Sequence, residues 1–210
     1  MASGGPTALT ELATATAVDG SPLTPKALVR RQRIVEAAID LGTEGGYDAV
    51  HMRVVAESAG VALATVYRYF ESKDHLLSAA VSAWTAQLQR GLARIPARGD
   101  TSVDQLVDVL RRASRALERR PLFTAALIRA LSSPDPGVAS AAVRVRDQIY
   151  DITAPILCDM PLDDVDGIVT VLAHVWNSSI SAWANGRAPI SSIGNDLESA
   201  ARLLLAGRAD

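Results

Sequence analysis

At 210 residues the chain is near the top of the usual size of a single domain, long enough to bury a sizeable core in one or two domains. Hydrophobic residues make up 49% of it and aromatic ones only 4%, so that core must be built from Ala, Leu, Val and Ile, which favours helices wherever the apolar period is near 3.6. The net charge of -2 excludes any case for nucleic acid resting on bulk charge, and no run approaches the ~18 apolar residues of a membrane span.

In chain order, residues 1–23 are mostly Ala, Thr, Ser, Gly and Pro without a sustained period and are expected to be disordered. They lack the basic start and apolar centre of a signal peptide, and with the single cysteine the expectation is a protein of the reducing cytoplasm. Thr24 before Pro25 is a cap and first-turn pair that opens a helix whose buried stripe is Ile34, Ala38 and Leu41 and which ends at Gly45-Gly46. Lys26, Arg30, Arg31 and Arg33 on that helix are either a solvated face or a set of phosphate contacts. The stretch from His51 to Lys73 reads as a helix-turn-helix. Val54, Val55 and Ala59 give its first helix an apolar face, and Gly60 supplies the freedom for a sharp turn. On its second helix Val66 and Phe70 point inward, while Thr65, Arg68 and Tyr69 share the opposite face. A polar, aromatic and cationic face suits DNA, because Tyr and Arg reach phosphate oxygens and Thr offers a hydroxyl to a base edge and a methyl to thymine.

Ser72 caps the next helix, whose stripe of Leu77, Val81, Trp84, Leu88 and Ile95 runs about six turns. Ser102 to Gln105 fits a capping box, with Val103, Leu106, Leu110, Ala113 and Leu117 behind it. Arg111, Arg112, Arg115, Arg119 and Arg120 on that helix form a cationic strip, read as a solvated face or as attraction for an anionic ligand group. Pro121 starts a short helix. Asp135-Pro136 opens a longer one carrying Val138, Ala142, Val145, Ile149, Ile152 and Ile156, which Pro155 kinks or ends. Asp163 or Asp164 is expected to cap a penultimate helix with Val165, Ile168, Val169, Leu172, Trp176 and Trp183; a last helix carries Ile193, Leu197, Ala200 and Leu204. Both are apolar over a wide arc and call for a partner.

His51, His75 and His174 are far apart and lack metal-ligand spacing, Cys158 reads as a buried filler, and Asp163, Asp164 and Asp166 read as helix-opening residues rather than a carboxylate pair. With no phosphate loop, nucleotide glycine fingerprint or nucleophile elbow, the expectation is no enzyme, no metal and no cofactor.

Gly46-Tyr47, Arg53, Ala59-Gly60-Val61 and Thr65-Val66-Tyr67-Arg68-Tyr69-Phe70 with Lys73 resemble the TetR family of bacterial transcriptional regulators. His51 stands where the family has a capping Ser or Thr, and Ala62-Leu63 where a polar residue opens the recognition helix. The resemblance implies an all-α protein: a three-helix DNA-binding domain over residues 24–72, then a helical ligand-binding and dimerisation domain over 73–208. It implies that Arg53, Thr65, Tyr67, Arg68, Tyr69 and Lys73 approach a double-stranded operator. It also implies that the last two helices pair with a second copy, through Trp176, Trp183, Leu197 and Leu204. A narrower likeness, in residues 45–53, His75-Leu76-Leu77, Arg120-Pro121-Leu122, Val175-Trp176 and Ala182-Trp183, is to the KstR group of steroid-catabolism repressors, which respond to acyl-CoA thioesters. The function expected is a ligand-responsive repressor, homodimeric on a palindrome and released by a hydrophobic effector, with Trp84, Leu88, Leu110, Phe123, Ile149 and Trp176 either walls of a pocket or simple core. The alternative is a helical small-molecule-binding protein or enzyme that has lost DNA binding.

Overall fold

A computed structural model describes residues 17–18, 20–133, 138, 147 and 149–206, and every regular element among them is helical. The helices are α1 (Pro25–Ala49), α2 (Met52–Ser58), α3 (Leu63–Tyr69), α4 (Lys73–Ala93), α5 (Ser102–Glu118), α6 (Pro121–Leu131), α7 (Leu162–Ala184) and α8 (Ser192–Leu205), with a 3-10 turn at Ala154–Leu157. They fall into two compact units, one comprising residues up to Trp84 together with Ala125–Ala142, the other Thr85–Thr124 and the residues from Val143 onward. The helix opening at Asp135-Pro136 lies largely outside the described residues, apart from its helical end at 149–153.

In the first unit Thr24 Oγ1 accepts the Ala27 N–H at 3.3 Å and Pro25 occupies the first turn, as its sequence predicts. α1 buries Ile34, Val35, Ala37 and Ala38 and breaks at Gly46, whose φ of 68° and ψ of -160° only glycine adopts without strain. The chain then reaches α2, which buries Val55 and Ala56 while Val54 is exposed. Gly60, at φ 62°, makes the turn into α3. Arg33 holds that corner by donating to the carbonyls of Ala59 and Gly60, so this cation caps α2 and is not a free member of a basic face. Arg31 is likewise turned inward, its guanidinium 4.9 Å from the Phe70 ring centroid. Neither α2 nor α3 has a side-chain cap: His51 and Ala62 stand at those positions, and packing of α2 and α3 on α1 holds them instead.

The disorder expected through residue 23 is not found at residues 17–18 and 20–23, and residues 1–16 lie outside the described residues. Ala17 is buried, and the Val18 N–H donates to the Arg68 carbonyl at 3.0 Å, satisfying an acceptor that the end of α3 leaves without an intrahelical partner.

In the second unit α5 packs on α8, and α8 on α7. The cap of α5 is one residue earlier than the spacing predicts: Thr101 Oγ1 accepts from the Asp104 N–H at 3.1 Å and donates to the Asp104 carboxylate at 2.9 Å. α7 likewise starts early, with Pro161 at its cap position, so Asp163 and Asp164 lie in the first turn, where the helix dipole favours them, and supply no cap. α8 is fastened at several points. Ser179 donates to Asp196 at 2.6 Å, Arg111 pairs with Glu198 at 2.5 Å, and Arg202 bridges Glu198 at 3.1 Å and Asp104 at 3.5 Å. Cys158 is exposed and does not fill the core.

Candidate nucleic-acid interface

The outward face of α3 differs from the sequence expectation in one residue. Tyr67 is 48% exposed and Arg68 is exposed, with Thr65 half-buried beside them, but Tyr69 is only 2% exposed. The Tyr69 ring packs edge-on to Phe70, and its hydroxyl accepts from Arg68 Nη2 at 2.9 Å. A side chain so buried cannot present a ring to a groove. Its role is to hold the Arg68 guanidinium, which also lies 5.1 Å from the ring centroid. Two turns of helix are too short for the period to separate a face of 65 and 68 from one that includes 69, which is why the outward face expected from the sequence wrongly took in Tyr69.

Arg53 projects from α2 with its side chain 82% exposed and pairs with Glu57, four residues on, at 3.2 Å. An exposed pair of that kind is worth ~0–1 kcal/mol, so DNA can displace it at small cost. Lys26, Arg30 and Arg68 line a hollow of about 400 Å³ with Ala17, Ser21 and the cap of α1, giving the recognition helix a cationic flank.

Lys73, in the first turn of α4, does not reach freely into solvent. Its Nζ lies 3.7 Å from the Tyr47 ring centroid, and the Arg129 guanidinium carbon of α6 is 4.0 Å from the same ring. The Tyr47 hydroxyl donates to Asp74 at 2.7 Å, and Arg129 pairs with Asp48 at 3.3 Å. Burial pushes the Lys73 ammonium below the ordinary lysine value, Asp48 and Asp74 raise it and Arg129 lowers it. Burial, then the Asp74 hydrogen bond, pushes the Tyr47 phenol up. The Gly46-Tyr47 pair is visible in the sequence, but the cations over its ring come from residues 26 and 82 positions away. The expected Ser72 cap is present, with Ser72 Oγ accepting the His75 N–H at 2.9 Å.

Five of the six residues expected to line an effector pocket belong to the second unit. Leu88 and Trp176, both half-buried, pack around Leu92, Val109 and Ala113 together with Ile152 and Ile156. Leu110 and Phe123 are buried in the second unit, Ile149 is half-buried, and Trp84, which is buried, belongs to the first unit. The cationic strip also divides. Arg112 donates to the carbonyls of Leu92 and Ile95 and to Asp108, and Arg111, though exposed, holds Glu198; Arg115 and Arg119 are exposed and Arg120 is half-buried.

Of the residues expected at a dimer interface, Leu197 is 0% exposed and is therefore core of its own chain, in the stripe Ile193, Leu197, Ala201 and Leu205. Trp176, Trp183 and Leu204 are half-buried. The large apolar side chains that α7 and α8 leave outward are Leu162, 76% exposed, Val171, 41% exposed, and Leu203, 78% exposed, none of which the sequence pattern singled out. Their signal was present as the excess width of the apolar arc. Among the described residues no cluster of His, Cys, Asp and Glu could hold a metal ion, and no helix is long and apolar enough to cross a membrane.

A short helix-turn-helix with a cationic, aromatic recognition face, followed by a larger helical unit, defines a DNA-binding regulator. Residues 34–80 match the family of bacterial regulatory proteins called tetR, and residues 99–204 match the tetracyclin repressor-like C-terminal domain. The chain belongs to the TetR family and is a transcriptional repressor, not an enzyme. It is similar to the HTH-type transcriptional repressor KstR of Mycobacterium tuberculosis, 36% identical over 177 residues that cover 84% of this chain and 80% of the relative. To KstR of Rhodococcus jostii it is 37% identical over 182 residues, covering 84% and 82%. Its fold is shared with a TetR transcriptional regulator from Rhodococcus sp. RHA1, at a TM-score of 0.71 and 31% identity over 87% of this chain and 97% of that one. It is shared too with FadR of Thermus thermophilus, solved in complex with lauroyl-CoA, at a TM-score of 0.67 and 25% identity over 84% of this chain and 94% of that one.

Proposed function

We propose that this repressor acts as a homodimer on a palindromic operator and leaves it when a hydrophobic acyl-CoA or steroid thioester binds among the helices of the second unit. The observation that carries the DNA reading is the face of α3 made by exposed Tyr67 and Arg68 with half-buried Thr65 beside them, on the second helix of the matched helix-turn-helix. In this reading residues 24–72 are the DNA-binding domain and 73–208 serve ligand binding and dimerisation. Tyr67, Arg68 and Lys73 supply phosphate contacts, Arg53 and Thr65 read bases, and Tyr69 acts only through Arg68. One helix-turn-helix contacts too little DNA for a specific site, and two-fold symmetry lets one surface read both half-sites. Half-buried Trp176, Trp183 and Leu204, with exposed Val171 and Leu203, are the side chains for that pairing.

For the effector, support comes from the lauroyl-CoA bound by the Thermus relative and from the apolar, aromatic neighbourhood of Leu88 and Trp176, with Leu110, Phe123 and Ile149 as further walls. Arg115 and Arg119, rather than the whole strip, are the cations left to receive a CoA phosphate. Genomic selection with the purified protein tests the DNA reading: enrichment of a palindrome at moderate salt supports it, and failure to enrich any leaves a helical small-molecule-binding protein. A thermal-shift panel of acyl-CoAs, free steroids and planar cationic drugs tests the effector. Stabilisation by the cationic drugs alone refutes the thioester.

A further inference from the structure

Four charged groups surround the Tyr47 ring: Lys73 and Arg129 over it, Asp74 at its hydroxyl, and Asp48 beside it in sequence and paired with Arg129. Both carboxylates are close enough to act on the Lys73 ammonium, yet among the described residues neither is ion-paired with it. Each has another partner. Asp74 takes the Tyr47 hydroxyl, and Asp48 takes the Arg129 guanidinium. The ring holds the lysine by its quadrupole and supplies no negative charge, so the Lys73 ammonium is not tied up in a contact ion pair among the described residues and is left for a phosphate.

We infer that Arg129 is a positioning residue for DNA binding: by occupying Asp48 and lying over Tyr47, it keeps the Lys73 ammonium unneutralised and set on the ring. The inference rests on the phosphate contact proposed for Lys73. Arg129 is a residue of α6, within the segment matched to the C-terminal domain and 56 positions from Lys73 in sequence, so no motif in the helix-turn-helix reveals it. Without it, Asp48, whose side chain is 86% exposed and free to turn, has Lys73 as its nearest remaining cation in this cluster. An ion pair there would weaken the phosphate contact. The Arg129 side chain is itself 61% exposed, so its loss changes folding little.

The test is equilibrium binding of the full chain to the duplex most enriched by selection, between about 50 and 200 mM salt. Lys73→Ala lowers the salt slope by about one per half-site. Arg129→Ala is expected to lower the slope by a similar amount and to weaken binding roughly fivefold at the low-salt end. Adding Asp48→Asn to Arg129→Ala restores slope and affinity, because the carboxylate that captures Lys73 is gone. Arg129→Ala with a wild-type slope overturns the inference, and so does a double variant that remains as weak as the single one, since a merely structural role for Arg129 is not repaired at Asp48. Should Arg129→Ala lose its helical circular dichroism, Arg129→Gln, alone and with Asp48→Asn, decides by the same criteria. An unchanged slope in Lys73→Ala removes the phosphate role and this inference with it, whereas wild-type protein that binds no duplex defeats the functional proposal itself.

Discussion

Arg112→Ala is the sharpest test of the second unit, because the sequence placed this residue in a cationic strip and the structure makes it a clamp. Its Nη2 donates to the Leu92 carbonyl at 3.0 Å and to Ile95 at 3.2 Å, and its Nη1 to Ile95 at 3.1 Å and to Asp108 at 3.2 Å. Leu92 is in the last turn of α4, where carbonyls have no intrahelical partner, and the Arg112 and Asp108 side chains are only 17% and 24% exposed. A hydrogen bond to a charged group contributes about 1.5–3 kcal/mol, but these share one guanidinium, and water can reach some of the freed acceptors, so the losses do not sum. The expected cost is about 2–4 kcal/mol. For a protein of this size, ~2–4 °C per kcal/mol makes that roughly 5–15 °C in Tm, read by circular dichroism at 222 nm. Arg112→Lys recovers only part, since an ammonium cannot span both carbonyls and the carboxylate. Arg115→Ala, at an exposed position on the same helix, should stay within about 0.5 kcal/mol. A shift below about 2 °C for Arg112→Ala, or equal shifts for the two arginines, would refute the clamp.

Tyr69→Ala should cost the fold about 3–5 kcal/mol, as a buried aromatic does, while Tyr67→Ala leaves Tm nearly unchanged and weakens every DNA site alike; chemical denaturation beside filter binding separates them. Leu203→Glu should give a monomer of unchanged helix content in light scattering, whereas Leu197→Glu buries an unpaired charge and unfolds the second unit; a dimeric Leu203→Glu would clear that face of an interface role. Hydrogen bonding from Arg202, then from Arg111, holds the Glu198 carboxyl below its ordinary 4.5 against the opposing effect of burial. A depressed carboxylate stabilises the fold above its unfolded value, and that contribution is lost as the pH falls through the folded one. Glu198→Gln should therefore flatten the fall of Tm on acidification below about pH 4.5, and an unchanged slope would show that the arginines do not act on it.

The sequence by itself determined the local elements whose causes are local. Thr24-Pro25 sets the start of α1, Gly60 the turn before the recognition helix, Ser72 the cap of α4, and the period of the apolar residues makes the chain helical. These need only backbone preferences and neighbours within four residues. Tertiary structure decided which way ambiguous faces turned. Tyr69 went inward because Phe70 and the Arg68 side chain pack on it, and an α3 of seven residues is too short for the period to fix that choice. α8 is apolar over more than one stripe, so burial of Leu197 and exposure of Leu203 depended on where α5 and α7 lie against it. The arginine strip was split by the end of α4, which placed the Leu92 and Ile95 carbonyls within reach of the Arg112 guanidinium. The Tyr47 cluster assembles residues from α1, α4 and α6, and because its interactions are between side chains far apart in sequence, only the folded chain brings them to one ring.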